Sequence, residues 1–321
     1  MMAGGDVLHG WQIVCFSLIS LLGLTGNSIV CFVMFMSGPN LRFVPFNAYI
    51  TSLAATDLLL SVIGIPIYVI SKSAFRHPEG VAGDILCKLI TGNLIPFWLA
   101  GTSVYFLVLL SFERYYAIKD PFLARTRTTS RKTKMAIIGA FLCGLLVQVP
   151  VIAGVEFTRS NATISNYCTY AWKNKTGVFF IYLVTLACQY VIPAILFVIN
   201  FARIRKSLTN LDGVLRRQSL RKDRNRGVVK KKRRTIKTIF ILVIAFFVCW
   251  TPNTVMFFLF QYAGVSSIKA NSDTFEVSVV LAFSSAWVNP VLYSFQSQEF
   301  RSHCKTSFEK IRRTLASYHL W

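Results

Sequence analysis

The chain has 321 residues, of which 54% are hydrophobic and only 15% charged, which excludes an ordinary soluble domain. It carries 35 Lys and Arg against 13 Asp and Glu, a net charge of +22. That excess would suit nucleic acid, but its placement along the chain excludes that partner, as the connectors show below.

The first charge-free stretch, Val7 to Asn40, is too long for a signal-peptide core, and residues 1–10 hold no Lys or Arg. The first span, predicted at 11–37, is therefore expected to serve as its own insertion signal. It contains Gly26-Asn27. The second span, 45–71, is broken only by Asp57. A lone carboxylate in mid-membrane is expensive and faces a cavity, a cation or a partner. Asn27, Ser103, Ser285 and Asn289 are polar residues available to share such a cavity. The third span, 87–119, is free of charge from Leu89 to Phe112 and closes on Glu113-Arg114-Tyr115. Charge at the hydrocarbon edge reads either as a snorkelling anchor or as a switch that meets a partner.

The fourth span is predicted at 133–155, and the connector 156–176 follows it. That connector holds Cys168 and two glycosylation sequons, at Asn161 and Asn174. The fifth span, 177–206, carries Pro193. The connector 207–231 is polar and basic, is expected to be flexible, and holds Ser219 in the basic-directed kinase pattern Arg216-Arg217-Gln218-Ser219. The sixth span, 232–262, contains Phe246 and Cys249-Trp250-Thr251-Pro252. The seventh, 275–296, contains Asn289-Pro290-Val291-Leu292-Tyr293. Each of these prolines removes a backbone bond, and a bulky side chain beside the kink makes a plausible two-state element. Beyond the last span, Phe300, Cys304, Phe308 and Ile311 recur at helical spacing among basic residues. They predict an amphipathic helix on the inner leaflet.

Seven spans of this length each cross about 30 Å of hydrocarbon. The fold class expected is an all-α membrane protein: a seven-transmembrane helix bundle with a short amphipathic eighth helix, over residues 1–298 and 299–321. Arg42, Lys119, Arg125 to Lys134, the fifth-to-sixth connector and the tail carry most of the basic residues, all on one side. The positive-inside rule puts that side in the cytosol and the amino terminus outside. The basic surface then meets anionic lipid and a cytosolic partner. Cys87 and Cys168 are the two cysteines on the outer side, where a bridge between them would tie the third span to the connector after the fourth. His9, His77, His303 and His319 all lie outside the spans, and no nucleophile–base or metal-ligand arrangement is evident. No enzyme and no metal cofactor are expected. An ion-coupled transporter or channel using Asp57 is the alternative class, weakened by the lack of an internal repeat.

In register, Gly26-Asn27, Leu53 to Asp57, Glu113-Arg114-Tyr115, Pro193, Phe246 with Cys249 to Pro252, and Asn289 to Tyr293 resemble the rhodopsin-like (class A) G-protein-coupled receptors. The resemblance implies a plasma-membrane receptor for an extracellular ligand, coupled to a heterotrimeric G protein, with arrestin and receptor kinases as further partners. It implies that Arg114, held by Glu113 at rest and followed by Tyr115, is released when the sixth helix swings outward. Pro121 and Phe122 would enter the G protein. Trp250, beside Pro252, would be the lever beneath the ligand, and Phe246 would relay its shift to a fifth helix bent at Pro193. Tyr293 and Pro290 would stabilise the active state. Asp57, Ser103, Ser285 and Asn289 would hold an allosteric sodium ion. Cys87–Cys168 would be the family's external disulfide and Cys304 a palmitoylation site.

The sequence departs from that pattern in places. Cys87 precedes Arg114 by two residues more than usual, which predicts an irregularity near Pro96. The fourth span lacks its usual tryptophan. Phe201 stands where a tyrosine is usual, and Lys232 where some relatives have an acid, so Lys232 cannot pair with Arg114. Pro96, Phe97 and Trp98 replace the aspartate of amine receptors, and Phe283 stands near the lysine position of opsins. The whole most resembles neuropeptide receptors, with Trp98, Phe258 and Tyr262 expected to face a peptide. A lipid or other small molecule is the alternative ligand.

Overall fold

A computed structural model describes residues 10–38, 44–65, 67, 78–120, 129–152, 154–158, 167–170, 175–217, 222–262, 273–296, 300–302, 304–307, 309 and 312. Among these, seven helical segments are long and apolar enough to cross a membrane. They are α1 (Gly10–Met36), α2 (Pro45–Gly64), α3 (Val81–Lys119), α4 (Ser130–Ile152), α5 (Lys175–Arg217), α6 (Lys222–Tyr262) and α7 (Asp273–Gln296). A two-stranded antiparallel hairpin, β1 (Val155–Thr158) with β2 (Tyr167–Tyr170), follows α4 and pairs Phe157 with Cys168.

The helices pack as a closed ring of neighbours, α1 on α2 and α7, and α6 on α5 and α7, with α3 running through the middle against α2, α4, α5 and α6. Burial follows that order. Within the apolar window of each span, 72% of α3 is buried against 22% of α4. The outward faces keep large apolar side chains exposed, among them Leu18, Phe35, Leu146 and Val198. In a membrane those faces meet lipid, so they need no protein cover.

Two helices are locally unwound. The first residues of α3, Val81–Leu86, lead into a π-helical turn, Cys87–Thr91, and Asn93 then adopts a left-handed conformation at φ 64° before Leu94–Lys119. The irregularity expected near Pro96 therefore falls at 87–93, and it absorbs the two extra residues. In α5 a second π turn, Ala187–Val191, ends where the Ile192 N–H reaches back to the Ala187 carbonyl. Pro193 has no N–H to offer, so the wider turn re-registers the backbone around it.

Where α1 meets α7, the contact explains two residues at once. A Cβ on Gly26 would stand 2.7 Å from Pro290 Cγ, so only glycine lets the kinked helix approach. Pro290 leaves the Ala286 carbonyl without its helical partner, and Asn27 Nδ2 donates to that carbonyl at 2.8 Å. Gly26-Asn27 is thus the complement of Pro290.

The fifth-to-sixth connector differs from expectation. α5 continues to Arg217 and α6 starts at Lys222, so most of 207–231 is helical rather than flexible. Buried Ile204, Leu208 and Val229 provide the apolar contacts of these extensions, and Arg233 meets Asp212 at 3.5 Å. Charge dominates the composition of this stretch, but apolar residues at helical spacing are enough to zip it. In the tail, residues 300–302 and 304–307 are helical, and Phe300 and Cys304 pack against the main core.

Candidate functional site

The expected site residues fall into three levels along the bundle. At the end of the bundle that carries the hairpin, Cys87 is disulfide-bonded and fully buried in the π turn of α3. The hairpin packs on that turn, with β2 carrying the backbone of Cys168. The side chain of Cys168 and both sequon residues, Asn161 and Asn174, lie outside the described residues.

At mid-membrane, Asp57 is buried among three helices. Ser103 Oγ of α3 donates to its Oδ1 at 3.2 Å, and Asn289 Nδ2 of α7 donates to its Oδ2 at 2.7 Å. Ser61 Oγ donates to the Asp57 backbone carbonyl at 2.8 Å. Among the described residues the carboxylate thus meets hydroxyl and amide donors and no cationic side chain, a donor set that leaves its negative charge uncancelled. Oxygen ligands from a carboxylate and a hydroxyl suit a hard monovalent cation. Ser285, expected at this pocket, is engaged elsewhere. Its Oγ accepts from Trp250 Nε1 at 3.0 Å and donates to the Ala282 carbonyl at 2.8 Å. A buried indole N–H needs an acceptor, and Ser285 on α7 supplies it.

Trp250 therefore sits between α6 and α7. Phe246 stacks on it at 6.0 Å between centroids, and Phe97 of α3 meets it edge-on at 6.2 Å. The neighbouring Phe247 ring passes the contact to α5, edge-on to Tyr190 at 5.3 Å and to Phe197 at 6.1 Å. Pro252 lies inside α6 two residues beyond Trp250. On the outer half of α5 and α6, Tyr182 donates to the Thr254 carbonyl at 2.9 Å and Tyr190 to Thr251 Oγ1 at 3.4 Å. Phe258 lies beside Tyr182, 5.8 Å between ring centroids. Tyr262 ends α6, its side chain outside the described residues.

Trp98 corrects an expectation. It turns away from the bundle interior toward α4, where its indole N–H donates to the Phe141 carbonyl at 2.8 Å and its ring meets Phe141 edge-on. Gly144 lets α3 approach there, since a Cβ would lie 2.5 Å from Thr102 Oγ1 and 3.2 Å from Trp98 Cδ1. The indole that α4 lacks is supplied from α3.

At the end opposite the hairpin, Arg114 Nε contacts Glu113 Oε2 at 2.6 Å. The approach is a close charge contact rather than an aligned hydrogen bond. The guanidinium also lies 3.5 Å over the ring of Phe46, in the first turn of α2. Sequence reading misses Phe46, because nothing local marks a phenylalanine after Pro45 as a cation's partner. Beside Phe46, Leu110, Ile239 and Leu242 close in on a small cavity that Thr235 and Thr238 also line. Tyr115 packs with Ile118, Ile204 and Leu208. Lys232 is half-buried in α6. Tyr293 lies on α7, its side chain outside the described residues, as do Pro121, Phe122 and Ser219 altogether. Cys304 is half-buried on the tail segment, and that burial pushes its thiol up.

Comparison with known proteins decides the family. Residues 26–293 match the model of the 7 transmembrane receptor (rhodopsin family). The chain belongs to the rhodopsin family of seven-transmembrane receptors. It is a membrane receptor of a non-enzymatic family. Its relatives include the [Phe13]-bombesin receptor of Bombina orientalis, 29% identical over 94% of this chain and 78% of that one. The somatostatin receptor type 4 of Rattus norvegicus is 27% identical over 92% and 71%. The galanin receptor type 1 of Homo sapiens is 25% identical over 92% and 81%. Among solved structures, squid rhodopsin superposes with a TM-score of 0.75 at 21% identity, covering 94% of this receptor and 85% of that chain. At that identity the likeness speaks for the fold.

Proposed function

We propose that the receptor binds an extracellular peptide and activates a heterotrimeric G protein by outward movement of α6. The observation that carries this reading is the held guanidinium. Arg114 stands at the inner edge of the most central helix, paired with Glu113 and laid over Phe46, at the rim of a closed apolar layer. A cation kept half-buried at a membrane edge is poised to be released toward a partner.

A chain of ring contacts runs from α3 into α6 above that edge. A ligand pressing on Phe97 meets Trp250, and Trp250 moves with Phe246 and against its hydrogen bond to Ser285. Pro252 and Pro290 are the kinks about which α6 and α7 bend. Asp57, Ser103 and Asn289 hold a sodium ion that favours the resting state, and Ser285 serves Trp250 instead. Pro121 and Phe122 enter the G protein, and Tyr293 steadies the active form. The peptide class is supported by relatives that are named as somatostatin, bombesin and galanin receptors.

The receptor works in the plasma membrane, amino terminus outside. Glycans on Asn161 and Asn174, phosphate on Ser219 and palmitate on Cys304 complete the mature form. The tail lies as an amphipathic helix on anionic inner-leaflet lipid, and receptor kinases and arrestin follow activation.

The test is a peptide library screened against calcium and cyclic-AMP reporters, with Arg114→Ala as the paired variant. A peptide should drive the wild type, while Arg114→Ala keeps surface expression and binding and loses the signal. A response that persists in cells lacking G proteins overturns the coupling. A response to lipid extracts alone overturns the peptide class.

A further inference from the structure

Below Pro193, the side of α5 that faces α3 carries Phe197, Asn200, Ile204 and Leu208, all buried. Asn200 is the one polar member of this stripe and has no exposed surface. Its Nδ2 donates to Ser111 Oγ of α3 at 3.0 Å, and Ser111 spends its own proton on the Val108 carbonyl at 2.7 Å. That commitment fixes the orientation of the amide. The hydroxyl only accepts from Asn200, so Asn200 Oδ1 faces elsewhere, and it is buried without a hydrogen-bond partner among the described residues. An unpaired buried acceptor is worse for stability than leucine would be at the same place. The resting fold therefore accounts for the amide nitrogen of Asn200, which ties α5 to α3, and leaves its oxygen without a use.

The geometry supplies one. Ser111 lies three residues before Arg114, so the two share a face of α3, separated by about 4.5 Å along the axis. A helical side chain leans toward the amino end of its own helix, which aims a long residue at 114 back over the level of 111. In the structure Arg114 is drawn aside by Phe46 and Glu113. Once freed, its guanidinium carries donors in search of acceptors in a half-buried place. Nearby Phe201 offers none, its ring set edge-on to Phe240 at 4.9 Å.

We propose that Asn200 is a positioning residue of the switch: when α6 moves, Asn200 Oδ1 takes the Arg114 guanidinium that leaves Phe46 and Glu113, so that α5 holds the active form. This rests on the reading of Arg114 as the G-protein switch. Resting stability is given up at Asn200, and a partner for the released cation is gained.

The experiment measures agonist-independent nucleotide exchange on a panel of Gα subunits in membranes holding the full-length receptor at matched surface amounts. Asn200→Asp keeps the shape, strengthens the acceptor, and should raise exchange by about fivefold, the lower end of typical coupling. Asn200→Leu should raise the thermal midpoint of the purified receptor and lower exchange below wild type. The gain in Asn200→Asp should vanish in the double variant with Arg114→Ala. Exchange unchanged in Asn200→Asp overturns the inference. So does a gain that survives Arg114→Ala, and this second result leaves the receptor reading standing. If Asn200→Asp fails to reach the surface, Asn200→Leu decides: unchanged or higher exchange, or a lower thermal midpoint, refutes the role.

Discussion

Removing the ring beneath Arg114 should loosen the switch by a calculable amount. Phe46 is buried, and its centroid lies 3.5 Å from the Arg114 Cζ, well inside the range of a cation–π contact. The Arg114 side chain is 18% exposed, so the pair is largely desolvated. A contact of that kind is worth about 1–2 kcal/mol. Phe46→Leu keeps an apolar filler against Ile50 and Leu110 and removes the π face alone. The Glu113 contact remains as the second hold on the guanidinium. Losing about 1–2 kcal/mol from the held state alone multiplies the ratio of released to held Arg114 by about 5–30. Basal nucleotide exchange should rise toward that factor until the released form dominates. Phe46→Tyr keeps the face and should stay near wild type. The assay is basal exchange at equal surface expression, with Arg114→Ala as the baseline. Equal rates for Phe46→Leu and Phe46→Tyr would refute the reasoning, as would a rise in Phe46→Leu that does not need Arg114.

Three further outcomes are expected. Asn27→Ala leaves the Ala286 carbonyl buried and unpaired above Pro290, and should cost about 1–3 kcal/mol, read as a lower thermal midpoint in detergent. Trp98→Phe loses the bond to the Phe141 carbonyl, so thermal stability should fall while the affinity of any activating peptide stays within twofold or so of wild type; a large affinity loss at unchanged stability would return Trp98 to the ligand pocket. Asp57→Asn removes the one carboxylate of the mid-membrane cluster, and the sodium dependence of basal exchange should disappear with it, measured by replacing sodium with a bulky organic cation. Wild-type exchange indifferent to sodium would remove the ion from the proposal.

Much of the molecule was written locally. Hydrocarbon sets a minimum length for each apolar run and a high cost for each charge, so the spans, Asp57 and Arg114 stand out in a single chain without knowledge of their neighbours. What lies between helices did not. Trp98 stands in a run of ordinary apolar residues, and its turn toward α4 follows from the Phe141 carbonyl that accepts its N–H. Asn27 has meaning only beside the carbonyl that Pro290 leaves open. Phe46 and Asn200 stand against α3 from two different helices, one meeting Arg114 and the other Ser111. The order of residues alone marks which groups are too costly to be in the membrane without purpose. Tertiary structure decided which partner each one meets, because hydrogen bonds and cation–π contacts act over a few ångströms between residues that helix packing, not chain order, brings together.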